Sequence, residues 1–259
     1  MSALLKTIIL AGGLGTRLSE ETDILPKPMV EIGDHPILWH IMNIYSKYNH
    51  NEFYIALGYK GYQIKRYFLD YNLLKSNLSI NLEAGSIDHA SRTSENWKIH
   101  LIETGIHTET GGRILRMKNL IGSDTFFLTY GDGVSNVDLH ELLKFHKSHG
   151  KLATVTAVRP PSRFGTLDFD GNSVTSFSEK PQIGEGWING GFFVLEPEVF
   201  DYITDDSTIF EREPLENLAK NSQLEAYKHQ GFWQPMDTLR ELRLLRSMWD
   251  SGNAPWKTW

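Results

Sequence analysis

Short runs of apolar residues, separated by polar segments, recur along the chain. They are rich in Ile, Val, Phe, Tyr and Thr, the residue types that strands favour. These runs predict buried strands over residues 7–11, 52–59, Lys98–Glu103, Phe126–Tyr130 and 152–158.

Other segments carry apolar residues at every third or fourth position, which places those residues on one face of a helix. Residues 36–48 begin with a proline, which suits a first helical position. Leu139–His149 is followed by Gly150, which suits a left-handed helix end. A further strand is predicted over 187–195 and a final helix over 238–250.

Strands and helices alternate through the first half of the chain, which is typical of an α/β fold. We therefore predict a Rossmann-like, mixed and mainly parallel sheet flanked by helices. The pattern becomes richer in strands beyond about residue 151. We predict one domain over 1–259, with a first half over about 1–150, a β-rich portion over about 151–237, and a C-terminal helix and tail over about 238–259. In the tail, Trp256 and Trp259 are expected to pack on the core or on a neighbouring molecule.

The composition of the chain excludes several classes of protein and of site. The 259 residues hold 26 Lys+Arg against 32 Asp+Glu, a net charge of −6, which is the wrong sign for a partner as negatively charged as nucleic acid. The absence of cysteine excludes disulfides, a thiolate metal site and a cysteine nucleophile. No apolar stretch approaches about 18 residues, and the apolar run near Met1 is too short for a signal peptide, so no membrane partner and a cytoplasmic location are expected.

A glycine-rich turn follows the first predicted strand, with the sequence Leu10-Ala11-Gly12-Gly13-Leu14-Gly15-Thr16-Arg17. Glycines let backbone N–H groups approach a phosphate or a base closely, and an arginine can donate two parallel hydrogen bonds to a phosphate. The turn lacks the Gly-Lys-Ser/Thr of a Walker loop, and Leu18 stands where a dinucleotide fingerprint has its third glycine. The alternative is a tight strand-to-helix turn with a surface arginine.

Three charged residues have distinctive surroundings. Lys27 lies between Pro26 and Pro28, which hold its backbone extended and so fix where its ammonium points; an exposed loop lysine is the alternative. Asp132 follows a predicted strand, where open α/β sheets bind ligands. Asp237 lies in a turn before the last predicted helix, so a helix-capping aspartate is the alternative there.

These residues together resemble a known family. Gly-Gly-x-Gly-Thr-Arg-Leu followed by Pro-Lys-Pro is the signature of the sugar-1-phosphate nucleotidyltransferases, and the resemblance covers essentially the whole chain. Its cytidylyltransferase subgroup, which uses CTP and glucose 1-phosphate, has segments similar to Ser19-Glu20-Glu21-Thr22, Gly58-Tyr59-Lys60-Gly61-Tyr62, 129–134, 231–238 and 255–259.

The resemblance implies Mg²⁺-dependent transfer of CMP from CTP to α-D-glucose 1-phosphate, which gives CDP-glucose and pyrophosphate. It assigns nucleotide binding to about 1–150 and sugar-phosphate binding to about 151–237. It also implies one Mg²⁺ held by Asp132 and Asp237, consistent with the one or two carboxylates that Mg²⁺ takes besides phosphates. A homo-oligomer is expected from the same resemblance.

The resemblance further implies three overlapping sets of residues. The catalytic set is Arg17, Lys27, Asp132, Lys180 and Asp237. The nucleotide-binding set is Leu10, Ala11, Gly12, Gly13, Gly15, Thr16, Arg17, Lys27, Thr108, Thr110, Gly111, Arg113, Gly131 and Asp132. The sugar-phosphate set is Gly165, Glu179, Lys180, Asn189 and Trp233. A turn asparagine is the alternative for Asn189, and a buried core tryptophan is the alternative for Trp233.

Arg113, at the end of a second polar glycine loop, is the candidate reader of the base. Cytosine offers acceptors at O2 and N3, whereas uracil carries a proton on N3. We hypothesise that Arg113 donates to O2 or N3, because a site that pairs polar groups specifically rejects an analogue that leaves them unpaired. A surface arginine is the alternative.

The implied reaction needs no general base. A phosphate monoester is largely ionised at pH 7, so its oxygen can attack the α-phosphorus of CTP in line, and the protein supplies positioning and positive charge. A nucleotidyltransferase that uses UTP or another sugar 1-phosphate is the closest alternative. A catalytically silent nucleotide-sugar sensor and a nicotinamide-binding enzyme are further ones, and the missing third glycine disfavours the last.

Overall fold

A computed structural model describes residues 4–13, 15, 18, 25–89, 95–160, 166–170, 172–178 and 186–259. The strands are β1 (Lys6–Ala11), β2 (Glu31–Ile32), β3 (His35–Pro36), β4 (Glu52–Leu57), β5 (Leu78–Asn81), β6 (Ser86–His89), β7 (Lys98–Glu103), β8 (Phe126–Tyr130), β9 (Gly133–Ser135), β10 (Ala153–Val158), β11 (Thr166–Asp170), β12 (Ser173–Ser178), β13 (Ile188–Asn189), β14 (Phe193–Leu195), β15 (Leu224–Lys228) and β16 (Trp233–Pro235). The helices are α1 (Ile37–Ser46), α2 (Gly61–Leu74), α3 (Thr110–Leu115), α4 (Lys118–Ile121), α5 (Leu139–His149), α6 (Glu213–Lys220) and α7 (Leu239–Asp250), with 3₁₀ turns at Lys27–Met29 and Pro197–Tyr202.

The main sheet is mixed and mainly parallel, which confirms the predicted fold class. Strands run in the order β13-β10-β14-β8-β1-β4-β7, and β15 pairs with the outer edge of β10. The β1, β4, β7 and β8 strands are mutually parallel, whereas β14 is antiparallel to both β8 and β10. The carboxyl ends of β1, β4 and β8 therefore lie side by side at one edge of the sheet. The division at about residue 150 stays a prediction, although the sheet takes strands from both sides of it.

Helices cover both faces of this sheet because alternate residues of the central strands point to opposite sides. On one face, Ile9 packs with Tyr45 of the almost wholly buried helix α1 and with Leu242 of α7. On the other face, Ile8 packs with Ile114 of α3 and the neighbouring apolar residues. No helix in the described ranges is both long and apolar enough to cross a bilayer.

The predicted strand over 187–195 was wrong as a single element. It is split into β13 and β14, because Gly191 and Phe192 both have positive φ angles, 74° and 47°. Such a pair reverses the direction of side chains and cannot continue a pleated strand. The break leaves Asn189 exposed at the sheet edge, while Phe193 lies in the core.

The aromatic tail packs on its own core, as expected for Trp256. This side chain is fully buried, and its Nε1 donates to His40 Nδ1 at 3.3 Å. The opposite ring nitrogen of His40, Nε2, lies 2.9 Å from the Ile32 carbonyl and donates to it. His40 is therefore held in its neutral form by two partners of opposite polarity.

Acid is expected to destabilise the fold through His40 and His50. Burial lowers the pKa of each from 6.5 to about 4, so the unfolded chain binds more protons between those values. Their contribution is complete above pH 6.5 and is lost as the pH falls towards 4, with about 3 kcal/mol available from each. Denaturant titrations at several pH values measure this slope.

His50→Asn tests this contribution. His107→Asn, the same change at an exposed position, is its control. We expect His50→Asn to flatten the dependence of the unfolding free energy on pH, whatever its stability at pH 8, and His107→Asn to leave it unchanged. Equal slopes in all three proteins would contradict this account.

Candidate active site

A cavity of about 350 Å³ opens at the carboxyl ends of β1 and β8. The turn after β1 is held from both sides, because Gly131 N donates to the Leu10 carbonyl at 2.9 Å and Tyr59 N donates to the Gly12 carbonyl at 3.1 Å. The lining residues are Leu10, Ala11, Gly12, Gly13, Gly15, Lys27, Pro28, Glu109, Thr110, Arg113, Tyr130, Gly131, Asp132 and Asp237. Eleven of these fourteen belong to the predicted site.

Lys27 joins the two predicted metal-binding aspartates. Its Nζ donates to Asp132 Oδ2 at 2.7 Å and also to Asp237 Oδ1. Asp132 and Asp237 meet although they are far apart in sequence, because β16 pairs antiparallel with β9 and Met236 N donates to the Asp132 carbonyl at 2.8 Å. The turn at Lys27 begins directly after Pro26, whose extended backbone directs the lysine towards the pair.

The Asp237 carboxylate does not cap helix α7. The cap is Thr238, whose side chain accepts from Glu241 N, while the Glu241 carboxylate accepts from Asp237 N at 2.8 Å and Thr238 N at 2.9 Å. This capping box fixes the backbone on both sides of the aspartate. Glu241 is a positioning residue that the sequence reasoning missed, although Thr-x-x-Glu before an apolar helix is a readable signal.

The charge balance at this point favours cations. Burial alone would lower the pKa of Lys27, but its ion pairs and hydrogen bonds with Asp132 and Asp237 outweigh burial and raise it. Only 12% of the lysine side chain is exposed, against 35% and 28% for the two aspartates. The two carboxylates thus stay open to the cavity while holding one positive charge between them.

The same two carboxylates fit a divalent cation. Both contact a single ammonium nitrogen, so their oxygen atoms lie within reach of one ion. Among the residues that the structure describes, no three His, Asp or Glu side chains converge as a metal site. Two carboxylates with further oxygens from phosphates and water match the preference of Mg²⁺. Binding of Mg²⁺ stays a prediction.

Arg113 is buried at the back of the cavity with 4% of its surface exposed. Its two terminal nitrogens donate to five protein oxygens: the carbonyls of Leu57, Gly105, Gly12 and Ile106, and Thr104 Oγ1. A side chain on Gly12 would overlap this guanidinium. Arg113 therefore ties the glycine turn to the ends of β4 and β7, and its surface alternative is excluded. Its contact with a base stays a prediction.

The polar glycine loop forms the start of helix α3 and packs on residues 205–211. Gly111 N donates to the Thr208 carbonyl at 2.9 Å, and an added Cβ there would meet the same oxygen at 2.6 Å. Thr108 is buried beside Gly105. Thr110 lines the cavity, whereas Thr108 and Gly111 are not among its lining residues, so their roles towards the nucleotide stay predictions.

The sugar-phosphate side is described only in part. Asn189 is exposed near the cavity and donates from Nδ2 to the Tyr130 hydroxyl at 3.1 Å. Trp233 is half-buried, and its Nε1 donates to the Gly190 carbonyl at 2.8 Å. Five predicted site residues lie outside the described residues: Thr16, Arg17, Gly165, Glu179 and Lys180.

The fold and the cavity define an α/β protein with an open cavity at the glycine turn, and comparison with known proteins gives the family. The family model described as "Nucleotidyl transferase" matches residues 6–242. The chain belongs to this nucleotidyl transferase family.

Two relatives of high identity are named for one and the same activity. The glucose-1-phosphate cytidylyltransferase of Salmonella typhi is 51% identical over 256 residues, which cover 98% of this chain and 100% of the relative. The probable glucose-1-phosphate cytidylyltransferase of Bacillus subtilis (strain 168) is 49% identical with the same coverage. Among solved structures, HddC from Yersinia pseudotuberculosis is 24% identical with a TM-score of 0.68, covering 95% of this chain and 99% of HddC, and it supports the fold.

Proposed function

We propose that this protein is a glucose-1-phosphate cytidylyltransferase, which transfers CMP from CTP to α-D-glucose 1-phosphate and releases pyrophosphate. The observation that carries the choice of substrates is the identity of about half the residues, over nearly the whole chain, with proteins of that name. The cavity is consistent with it, because a glycine turn and a largely enclosed lysine suit phosphate groups.

The chain's own residues would act by position and charge. The phosphate of the sugar is largely ionised at neutral pH, so its oxygen attacks the α-phosphorus directly and pyrophosphate leaves with the P–O bond electrons. Backbone N–H groups of the glycine turn would hold the triphosphate, and Lys27 would neutralise its growing charge. Arg17 and Lys180 are proposed as further phosphate ligands.

Asp132 and Asp237 would hold Mg²⁺ between them. When bound, the ion would draw the two phosphate-bearing substrates together and offset their mutual repulsion. Lys27 contacts both carboxylates, so it would turn towards the phosphates as the aspartates take the metal. Asn189 and Glu179 are proposed to bind the sugar hydroxyls. Gly165 is proposed to line the sugar pocket, and Trp233 to pack against the ring.

Pyrophosphate release with glucose 1-phosphate, Mg²⁺ and each nucleoside triphosphate in turn tests the proposal. We expect release chiefly with CTP, and its loss on adding a chelator. Release chiefly with UTP would keep the reaction class and contradict the assigned nucleotide. Release that survives the chelator would contradict the metal.

We also propose that the enzyme is cytoplasmic, where its nucleotide substrate is found, and that it self-associates through the hairpin β5–β6. The apolar residues Leu78, Ile80, Leu82 and Ile87 are 40–91% exposed, and Ile80 pairs directly with Ile87 across the strands. An isolated hairpin is barely stable in water, so a second copy covering this face would stabilise it.

Replacing both isoleucines of this pair by threonine is expected to weaken self-association at least about tenfold, because two apolar contacts are lost while strand propensity is kept. Light scattering across a concentration series measures the shift. Ser79→Thr, on the opposite face of β5, is the control. A wild-type protein that stays monomeric, or a double variant that associates unchanged, would contradict the proposal.

A further inference from the structure

A chain of four polar side chains joins Thr110 and Tyr130, which line the cavity, to Glu211 and Asn189. Thr110 Oγ1 donates to Glu211 Oε2 at 2.6 Å, and the Tyr130 hydroxyl donates to Glu211 Oε1 at 2.6 Å. Asn189 Nδ2 in turn donates to the Tyr130 hydroxyl at 3.1 Å. Glu211 lies just before helix α6 and is half-buried, so one carboxylate holds both hydroxyl groups.

The direction of each hydrogen bond follows from the chemistry of its partners. An ionised carboxylate only accepts, so both hydroxyl hydrogens must point at Glu211. The Thr110 oxygen also accepts from Phe210 N at 2.9 Å. One lone pair of Thr110 Oγ1 is then left, and the hydroxyl has no hydrogen to offer a ligand. Thr110 lines the cavity, so a hydrogen bond from its hydroxyl oxygen to a ligand there would be made as an acceptor.

The position of Thr110 in the cavity points to the base. The glycine turn, Lys27 and the aspartate pair line the cavity and suit phosphates and a cation. Thr110 lies on a different element, the first turn of helix α3, beside Arg113. A nucleotide whose phosphates occupy the glycine turn would extend its base towards this wall.

We propose that Glu211 makes Thr110 a fixed acceptor for the exocyclic amine of cytosine and so discriminates CTP from UTP. This inference rests on the proposed function. Cytosine carries an amine at the position where uracil carries a carbonyl oxygen. A fixed acceptor hydrogen-bonds the amine and leaves the uracil oxygen facing another oxygen, with no hydrogen between them.

The ratio of kcat/KM for CTP to kcat/KM for UTP is the quantity to measure. Thr110→Val keeps the shape of the side chain but removes the acceptor, so we expect the ratio to fall about tenfold to a hundredfold. Thr110→Ser retains the hydroxyl and should keep the ratio within about threefold. In Glu211→Gln, the amide nitrogen can donate to Thr110 and turn its hydroxyl around, so CTP should lose rate and UTP should gain.

Glu213→Gln is the matched control, because the same change falls on an exposed residue two positions further on. The KM for glucose 1-phosphate and the melting temperature are recorded for every variant. If the KM for glucose 1-phosphate is unchanged in Thr110→Val, the fall in the CTP/UTP ratio comes from recognition of the base and not from a general disturbance of the site. Glu109 also lines the cavity and is the rival acceptor.

The outcomes are separable. A wild-type enzyme that does not turn over CTP would contradict the proposed function itself. A wild-type enzyme that prefers CTP, with the preference kept in both Thr110→Val and Glu211→Gln, would overturn the inference alone. Collapse of the ratio in Glu109→Gln with Thr110→Val unchanged would move base reading to Glu109 and would also overturn it.

Discussion

The Asp237→Asn variant is expected to lower kcat/KM for pyrophosphate release by about a thousandfold while leaving the fold intact. The carboxylate is 28% exposed and shares Lys27 with Asp132. Its charge therefore lies at the cavity, and its removal should not destabilise the core. The amide keeps the shape but removes half of the negative charge available to a metal. Steady-state kinetics at several Mg²⁺ concentrations measure the loss, which should lessen as Mg²⁺ rises.

Asp201→Asn is the control, because Asp201 pairs with Lys118 on the protein surface. This variant should behave as wild type. An Asp237→Asn enzyme with wild-type kcat/KM and wild-type Mg²⁺ dependence would show that this aspartate does not hold the metal.

Truncation of Arg113 to alanine is expected to cost about 3 to 5 kcal/mol of unfolding free energy. The guanidinium donates to four carbonyl groups and one hydroxyl in the interior, and alanine would remove one donor from each of these acceptors and open a space beneath the glycine turn. Urea titration at neutral pH measures the change. Activity with CTP should fall as well, because the turn after β1 loses its support.

Arg116→Ala is the matched control. This neighbouring arginine pairs with Asp206 at the surface, and its loss should cost no more than about 1 kcal/mol. Wild-type stability of Arg113→Ala would contradict the structural role. A folded Arg113→Ala protein with an unchanged preference for CTP over UTP would remove the arginine from base reading, and that result would be compatible with its hydrogen bonds to the main chain.

Much of the sheet follows from local patterns. The strand over 7–11 is observed as β1 from Lys6, and the helix Leu139–His149 is observed with the predicted bounds. Gly150 adopts the expected left-handed conformation, with a φ of 63°. These elements are predictable because their apolar spacing or capping residues lie within the element itself. Helix α2 escaped prediction because most of it is only partly buried, with Gly61 and Ile64 as its buried residues.

The site was predictable in its residues but not in its connections. Asp132 stands out because it follows an apolar strand, and Lys27 because two prolines surround it. The bond between them joins positions 105 residues apart, and that between Thr110 and Glu211 joins positions 101 apart. No local pattern in the sequence marks Glu211 as the partner of Thr110 and Tyr130. The five acceptors of Arg113 likewise come from separate elements and become visible only when the sheet is assembled.

The most direct test of the central claim uses glucose 1-phosphate labelled with ¹⁸O in its phosphate group, together with CTP and Mg²⁺. If the sugar phosphate attacks the α-phosphorus, the CDP-glucose formed will keep every labelled oxygen, including the one that bridges the two phosphorus atoms, and the pyrophosphate will carry none. Mass spectrometry of both products reads the distribution. Label in the pyrophosphate, or release of pyrophosphate without any CDP-glucose, would contradict the account.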